Sequence, residues 1–580
     1  MRRTWLLLLA AIVPIGCEAS TKSPPNANST PLKLESPSET RETDLQERPP
    51  APRAVAPEDW FENVTARSGI QFRYRNGREA NQFTLLETVG GGVAMIDYDQ
   101  DGDLDLFFTG GGSIAVGSDA KISGRPGALF RNDGDWRFVD VTNEAGLADA
   151  GDYSHGVTVA DYDRNGFPDL LVTCYGRCQL WRNEGGKFKN VTVSAGLDFS
   201  SWNTAAAWAD IDGNGFPDLY VAAYADWKFD PNEFCGDKQR GVRDVCPPSA
   251  HPAAQDRLFR NRADGTFEEI TKLAGIKGDG KGLGVLASDL NGDGQVDFYV
   301  ANDVGDNHLY WGAVELPWKE AGLWAGVANQ EFGLAQGSMG VDVGDYNGDG
   351  VADIFVTNFE LENNALYRGE GREYFVDATL PAGLRGRCFS YVGFGTGFAD
   401  FDGDGWLDLF VCNGNVYYTQ GHGPYEQPAF LFQNVAGKKF RDVSMQCGPY
   451  FRNWHVGRGA AVGDLDDDGA PDLVIVHQNE PVVLLRNRKV PARWVRLQLE
   501  GVHCDREAVG AKISYDYQGR QLVRWVRSGA GYLSQFDQRV ILPVDQDDPV
   551  SVKVVWPGGK EESFSNLEIN TTHRLIQGEG

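Results

Sequence analysis

Positive charge is scarce in this chain of 580 residues. Lys and Arg number 54 against 82 Asp and Glu, leaving a formal charge of -28. Surfaces that bind nucleic acid concentrate positive charge, so nucleic acid is not an expected partner. Histidine and cysteine are also few, eight and nine. They form no Cys-x-x-Cys-His motif for haem and no Cys/His set with zinc spacing. A Gly-x-Ser-x-Gly elbow is missing, and the histidines form no recurring ligand pattern, so no catalytic residue is assigned. His455 and His477 read as isolated polar residues rather than a catalytic pair. Beyond the N-terminus no segment approaches the roughly 18 uninterrupted apolar residues of a spanning helix, so any membrane attachment must come through a lipid.

The N-terminus reads MRRTWLLLLAAIVPIGC: Arg2 and Arg3, an apolar run from Trp5 to Val13, then Gly16 directly before Cys17. This resembles a bacterial lipoprotein signal over residues 1–16 with a mature chain beginning at a lipidated Cys17, although Pro14 stands where the usual motif has Leu. An ordinary secretory signal is the alternative. Either reading places the protein outside the cytoplasm, periplasmic or at the cell surface. Residues 17–57, rich in Pro, Ser, Thr and charge, read as a disordered tether with an end-to-end distance on the order of 35 Å. Among the other cysteines, Cys235 and Cys246 bracket a short polar stretch and are the best disulfide pair; Cys174 and Cys178 are close enough in sequence to close a small loop. Cys388, Cys412, Cys447 and Cys504 suggest no pairing.

What the chain has in abundance is a nine-residue acidic pattern, D-x-[DN]-x-[DN]-G-x-x-D, in seven copies. Its side chains at positions 1, 3, 5 and 9 are Asp97, Asp99, Asp101 and Asp105; Asp161, Asp163, Asn165 and Asp169; Asp210, Asp212, Asn214 and Asp218; Asp289, Asn291, Asp293 and Asp297; Asp345, Asn347, Asp349 and Asp353; Asp400, Asp402, Asp404 and Asp408; Asp464, Asp466, Asp468 and Asp472. A hard cation such as calcium takes six to eight oxygens, and a tight loop with alternate side chains turned inward supplies them. Position 7 then needs only its backbone carbonyl, consistent with the unrelated side chains of Asp103, Phe167 and Trp406 there. Up to seven structural Ca2+ are expected, enough to halve the formal charge.

The same spacing opens an EF-hand, but that loop demands a bidentate Glu at position 12. Here position 12 is Phe108, Val172, Val221, Val300, Val356, Val411 or Ile475. The apolar runs on both sides of each loop read instead as two strands of a hairpin. A second signature follows in each repeat, such as LFRN at 129 or LWRN at 180, and usually a fourth segment such as FVDVTNEAGL. Four strands per repeat make a propeller blade, so the fold class is all-β: a seven-bladed β-propeller over residues 58–490. The seventh repeat lacks its fourth segment, whereas WFENVTARSGI at 60–70 supplies one ahead of the first, so the chain ends should share a blade and close the ring.

These hairpins resemble the FG-GAP, or VCBS, repeats of integrin-α-like propellers. The C-terminal VGAKI, SGAGYLSQ and VVWPGG resemble the ASPIC/UnbV domain of cartilage-acidic-protein-like chains, with QRVILPV where that family commonly has an HFGLG-like turn. Residues 491–580 are therefore expected to form a small β-sandwich or barrel.

Propeller topology puts the acidic hairpins on one face of the ring and long, dissimilar loops on the other. The latter carry Trp227, His422 and the candidate partner-binding residues Tyr417, Tyr418, Tyr425, Trp454 and His455, a mixture suited to a protein or glycan surface. Asn302, Asn358 and Asn413 follow the second strand of three blades, where such residues often fix a turn. The expected function is an extracytoplasmic binding or adhesion module. An enzyme with its site on the same loop face, or a structural envelope component, are the alternatives.

Overall fold

The computed structural model describes residues 56–580 apart from 118–119, 331–332 and 419–421. The signal, Cys17 and almost all of the tether lie outside the described residues.

Each apolar run that follows an acidic loop is a strand, paired antiparallel with the run before it. In the first blade, Val93–Ile96, Asp105–Phe108, Ala128–Asn132 and Phe138–Asp140 pair in that order. Both faces of such a sheet pack against neighbouring sheets, so the inner strands are apolar throughout instead of alternating. The fourth strand leads into a single helical turn, Thr142–Ala145, stopped by Gly146 at a φ of 85°, a left-handed conformation that glycine adopts without a Cβ clash. Thr271–Ala274 and Gly322–Ala325 end the same way, which explains the recurrent AG of the fourth segment.

Seven four-stranded units of this kind occur. Their first strands are Val93–Ile96, Tyr153–Ala160, Ser200–Ala209, Gly282–Ser288, Val341–Gly344, Gly393–Ala399 and Gly457–Gly463. Each contacts the next, and the seventh contacts the first, which makes the array a closed ring. The outer strand of the seventh blade is Phe61–Asn63, paired with Val483–Asn487 in the register Phe61 to Asn487. The N-terminal strand therefore closes the ring as the repeat pattern implied.

The C-terminal segment forms two sheets around a core of its own. One orders Val540–Pro543, Trp494–Glu500 and Thr571–Ile576; the other orders Arg520–Trp525, Lys512–Tyr517, Val550–Val555 and Glu561–Leu567. Leu497, Ile513, Val554 and Trp556 are fully buried between them. QRVILPV is not a turn here: Val540–Pro543 is a strand paired with Trp494–Leu497.

Between Trp525 and Val540 the chain leaves this small domain and enters the ring. Ser528 exchanges backbone hydrogen bonds with Ala287, and Gly531 with Val341. Gln535 bonds Val93 and Met95, Leu533 accepts from Val157, and Asp537 donates to Val462. The Ser528 hydroxyl accepts from Trp208 N at 3.0 Å, and Tyr532 lies edge-on to Phe394 at 4.9 Å. Since these partners belong to the first strands of all seven blades, SGAGYLSQ occupies the central channel. Its glycines are required by close approach: a Cβ on Gly529 would stand 2.2 Å from the Val285 carbonyl. Arg527 fixes the entry with a two-pronged ion pair to Asp342, whose side chain is fully buried.

Candidate functional site

The seven acidic loops share one hydrogen-bond pattern. The glycine at position 6 has a φ between 80° and 100° in every copy, Gly102 and Gly350 marking the extremes. That turn aims its N–H at the carboxylate of position 1, from Gly215 to Asp210 at 2.8 Å and from Gly102 to Asp97 at 3.2 Å. The aspartate at position 9 accepts two backbone N–H groups. Asp169, for example, takes Tyr162 N at 3.0 Å and Asn183 N at 2.6 Å, which ties the loop to its own third strand.

The asparagine of the LFRN signature links blades. Asn183 donates its side-chain amide to Tyr98 O of the preceding blade at 2.8 Å and to Pro168 O of its own loop at 3.1 Å. Asn132, Asn261, Asn434 and Asn487 repeat the arrangement. Blades 4 and 5 carry Gly312 and Gly369 instead, keeping the backbone bond to Asp297 and Asp353 and losing the amide link.

These loops fit a hard cation by their donors. In five of them three carboxylates bring ligand oxygens within 4.8 Å of one another: Asp97, Asp99 and Asp101; Asp161, Asp163 and Asp169; Asp210, Asp212 and Asp218; Asp400, Asp402 and Asp404; Asp464, Asp466 and Asp472. Buried oxygens of Asp97, Asp99, Asp161, Asp402 and Asp466 have no hydrogen-bond partner, and a buried acceptor left so is costly. Burial, reinforced by neighbouring carboxylates, raises Asp97, Asp161 and Asp210 to about 6, Asp400 and Asp464 to about 7, and Asp105 to about 8. Loops 4 and 5 have Asn at position 3, and its amide turns to the position 5 carboxylate, 3.1 Å from Asn291 to Asp293 and 2.7 Å from Asn347 to Asp349.

Loop 7 differs in what surrounds it. In blades 1, 2 and 5 the arginine of the third strand is held outward by an acid two residues on: Arg131 by Asp133, Arg182 by Glu184, Arg368 by Glu370. In blade 7 that position is Arg488. Arg486 turns into the loop instead, 2.7 Å from Asp466 and 3.1 Å from Asp468, and Arg496 reaches Asp464 at 3.0 Å.

The small domain covers this face. Arg539 donates to Gly102 O, Lys512 to Gly350 O, Arg524 to Gly405 O and Gly558 N to Gly294 O, all at position 6 carbonyls, at 2.6 to 3.1 Å. Arg506 faces Asp161 at 3.6 Å, and Arg164 of loop 2 donates to Gly501 O at 2.8 Å.

Among the described residues no second domain covers the opposite face. Tyr417 stacks on His422 with centroids 4.0 Å apart, and His422 Nδ1 meets Glu360 at 2.5 Å. Tyr418 packs against Tyr425 at 4.6 Å, with the Arg78 guanidinium over both rings. His455 stacks on Tyr450 and bonds Glu480 at 3.0 Å. Trp454 and His455 pair with Pro428 and Gln427, a short ladder joining the two aromatic groups. The structure thus gathers the five candidate residues on one side of the ring, but commits much of their surface to one another. Trp227 is not a surface residue at all: it is buried against Trp202 and Tyr175.

Several sequence readings change here. His455 and His477 are neighbours, 4.9 Å between centroids, rather than isolated. Each serves a local partner: His477 bonds Tyr450 OH and the Pro481 carbonyl, and burial holds its pKa down to about 4. Asn302 and Asn358 donate to Asp306 O and Asn363 O, fixing turns, while Asn413 donates to Pro428 O. The bridge from Cys235 to Cys246 forms, with Cα atoms 5.1 Å apart. Cys174 and Cys178 remain buried thiols instead of closing a loop; the Cys174 sulfur takes the Gln179 amide at 3.6 Å.

At the open mouth lies a cavity of about 170 Å3, lined by Leu85, Met339, Phe359, Tyr417, Asp303 and Glu362 among others. Burial lifts Asp303 to about 6 and Glu362 to about 7. Neither acid stands out in the sequence. The available signal was position: Asp303 directly follows Asn302, at the same strand end as Asn358 and Asn413.

The FG-GAP-like repeat model matches residues 97–172, 165–221, 249–300, 289–356 and 400–475, more than half of the chain. The chain belongs to the FG-GAP-like repeat family. Residues 501–580 match the ASPIC and UnbV model. Cartilage acidic protein 1 of Xenopus tropicalis is 26% identical over 392 residues, 54% of this chain and 58% of that protein. The protein of that name from Mus musculus is 25% identical over 391 residues, 55% and 59% of the two chains. The chain therefore spans under two thirds of the length of these relatives. Among solved structures, an Agrocybe aegerita lectin with specific recognition of non-reducing terminal N-acetylglucosamine aligns with a TM-score of 0.37 at 15% identity, covering 68% of this chain and 87% of the lectin.

Proposed function

We propose that this FG-GAP-repeat chain is a calcium-stabilised, extracytoplasmic binding or adhesion module that engages a protein or glycan partner through the ring face opposite its acidic loops. The observation that carries the reading is the unequal use of the two faces. One is covered by the chain's own ASPIC/UnbV domain and its channel is filled by SGAGYLSQ; the other keeps an open cavity rimmed by dissimilar aromatic loops. Repeated loops offer little with which to tell partners apart, whereas specific recognition needs groups that do not repeat.

Calcium belongs to the scaffold in this reading. Carboxylates crowded at positions 1, 3, 5 and 9 repel one another in the folded chain, and a cation bound there favours that state by mass action. Kinship with cartilage acidic protein 1 and the FG-GAP repeats supports a place outside the cytoplasm. Among the described residues no helix is long and apolar enough to cross a membrane, and a lipid on Cys17 is the attachment this proposal includes.

The test uses the full chain on a glycan array and against extracellular protein fractions. Tyr417→Ala, Tyr425→Ala and Trp454→Ala are expected to weaken partner capture at least tenfold with melting temperatures close to wild type. Asp404→Ala lowers the melting temperature first. Normal capture by all three aromatic variants, with loss in an acidic-loop variant of unchanged stability, would move the function to the other face.

A further inference from the structure

The open-mouth cavity combines two features that are seldom neighbours without a reason. Its walls are largely apolar and aromatic: Leu85, Val89, Leu283, Met339, Phe359 and Tyr417. Into it also face two carboxylates, Asp303 and Glu362. They converge on Gly337, whose N–H donates to Glu362 at 2.8 Å and where a Cβ would stand 3.0 Å from the Asp303 oxygen. Tyr224 OH donates to Asp303 at 2.5 Å. No Lys or Arg among the described residues forms an ion pair with either acid; the Lys281 charge reaches Asp303 without pairing to it.

Two acids in apolar surroundings lack the counter-charge that burial ordinarily demands. What the cavity wants is a cation with an apolar stem. A guanidinium or ammonium group would offset both carboxylates, and an aromatic wall adds a cation–π contribution. A sugar would satisfy the acids with hydroxyls but leave others against Leu85, Leu283 and Met339 without partners. The size agrees with one side chain: about 170 Å3 is close to the ~150 Å3 of an engineered cavity that admits benzene. The chain's net charge of -28 also draws cations towards it.

We propose that this cavity is a binding site for an arginine or lysine side chain presented by a partner protein, with Asp303 and Glu362 as its counter-charges and Tyr417 and Phe359 as its aromatic walls. This deepens the assignment of the open face and rests on it.

Isothermal titration of the full chain at pH 8 with N-acetyl-arginine amide, and with its neutral isostere N-acetyl-citrulline amide, tests the proposal. The arginine compound is expected to bind at least tenfold more tightly than the citrulline compound. Asp303→Asn and Glu362→Gln, which keep acceptors for Tyr224 and Gly337, should each lose that preference while melting within a few degrees of wild type. Equal binding of the two amides, or wild-type discrimination in both variants, overturns the proposal. Tighter binding of glucosamine or N-acetylglucosamine than of the arginine compound also overturns it, in favour of a sugar site. The two levels separate cleanly. If the aromatic variants lose their partner while the arginine amide does not bind, the open face stands and the cation site falls; arginine-selective binding with unaltered partner capture by those variants gives the reverse.

Discussion

The two faces of the ring are built from the same repeats yet follow opposite rules. On the acidic-loop face every blade repeats one hydrogen-bond pattern, from the left-handed glycine to the doubly bonded aspartate at position 9. That face is then spent internally, since the ASPIC/UnbV domain reads the same carbonyl in blades 1, 4, 5 and 6. On the other face no two loops are alike: a disulfide-closed hairpin at Cys235–Asp237 and Val242–Asp244, a stacked Tyr417–His422 pair, and a two-residue ladder at Trp454. Regularity serves assembly here, and the proposed function leaves irregularity for recognition.

The sharpest way to break this contrast is to remove metal. Chelation of the native chain should lower its melting temperature by more than 10 °C, because each site saturated a hundredfold above its dissociation constant contributes about 2.7 kcal/mol, and added calcium should restore it. No shift, with no calcium found by elemental analysis, would mean that the loops are neutralised by protein groups alone. Next in size is the plug. Truncating one partner of a buried ion pair costs about 3–5 kcal/mol, so Asp342→Ala should lower stability by about that much in urea titrations. Arg527→Ala should come close to it if the pair acts as the latch of SGAGYLSQ. A change under 1 kcal/mol in both would show the channel contacts to be incidental.

Smaller effects test the links between blades. Asn183→Ala strands the buried Tyr98 carbonyl and the half-buried Pro168 carbonyl, and should cost about 1–3 kcal/mol; thermal unfolding that matches wild type would deny the amide a role. The smallest effect concerns loop 7, where Arg486 already faces Asp466 and Asp468. Native mass spectrometry should find this loop the weakest metal site. Arg486→Gln should raise its calcium occupancy with little change in melting temperature, whereas unchanged occupancy would make the arginine a bystander.

The ring was legible in the sequence because its determinants are local and repeated. Seven copies of a nine-residue pattern announce seven hairpins, and the missing fourth segment after Leu485 pointed to Phe61 as the closing strand. The plug was not legible, although SGAGYLSQ was recognised as a family signature. Its partners, from Val93 to Val462, are spread over the whole chain and contribute backbone atoms, which leave no trace in side-chain patterns. The inward turn of Arg486 goes with Arg488 where blades 1, 2 and 5 carry an acid, but blade 3 has Arg262 there and turns Arg260 to Glu268 instead, so no single position announces it. Asp303 and Glu362 were missed for a related reason: two acids separated by 59 positions meet only once blades 4 and 5 are neighbours.

Where the closing pieces stand along the chain also governs when the protein can become itself. Phe61–Asn63 is made early and must wait for Val483–Asn487, and the segment that fills the channel follows later still, at Ser528–Gln535. Blades can form in order as the chain emerges, since their contacts are short in range, but the ring stays open at one seam and hollow at its centre until nearly all of it has been delivered. Such late, long-range contacts slow folding and leave strand edges exposed meanwhile. A chain ending before residue 526 would hold every strand of the ring, the seam at Val483–Asn487 included, yet leave the centre hollow; delivery of Ser528–Gln535 is the step that fills it.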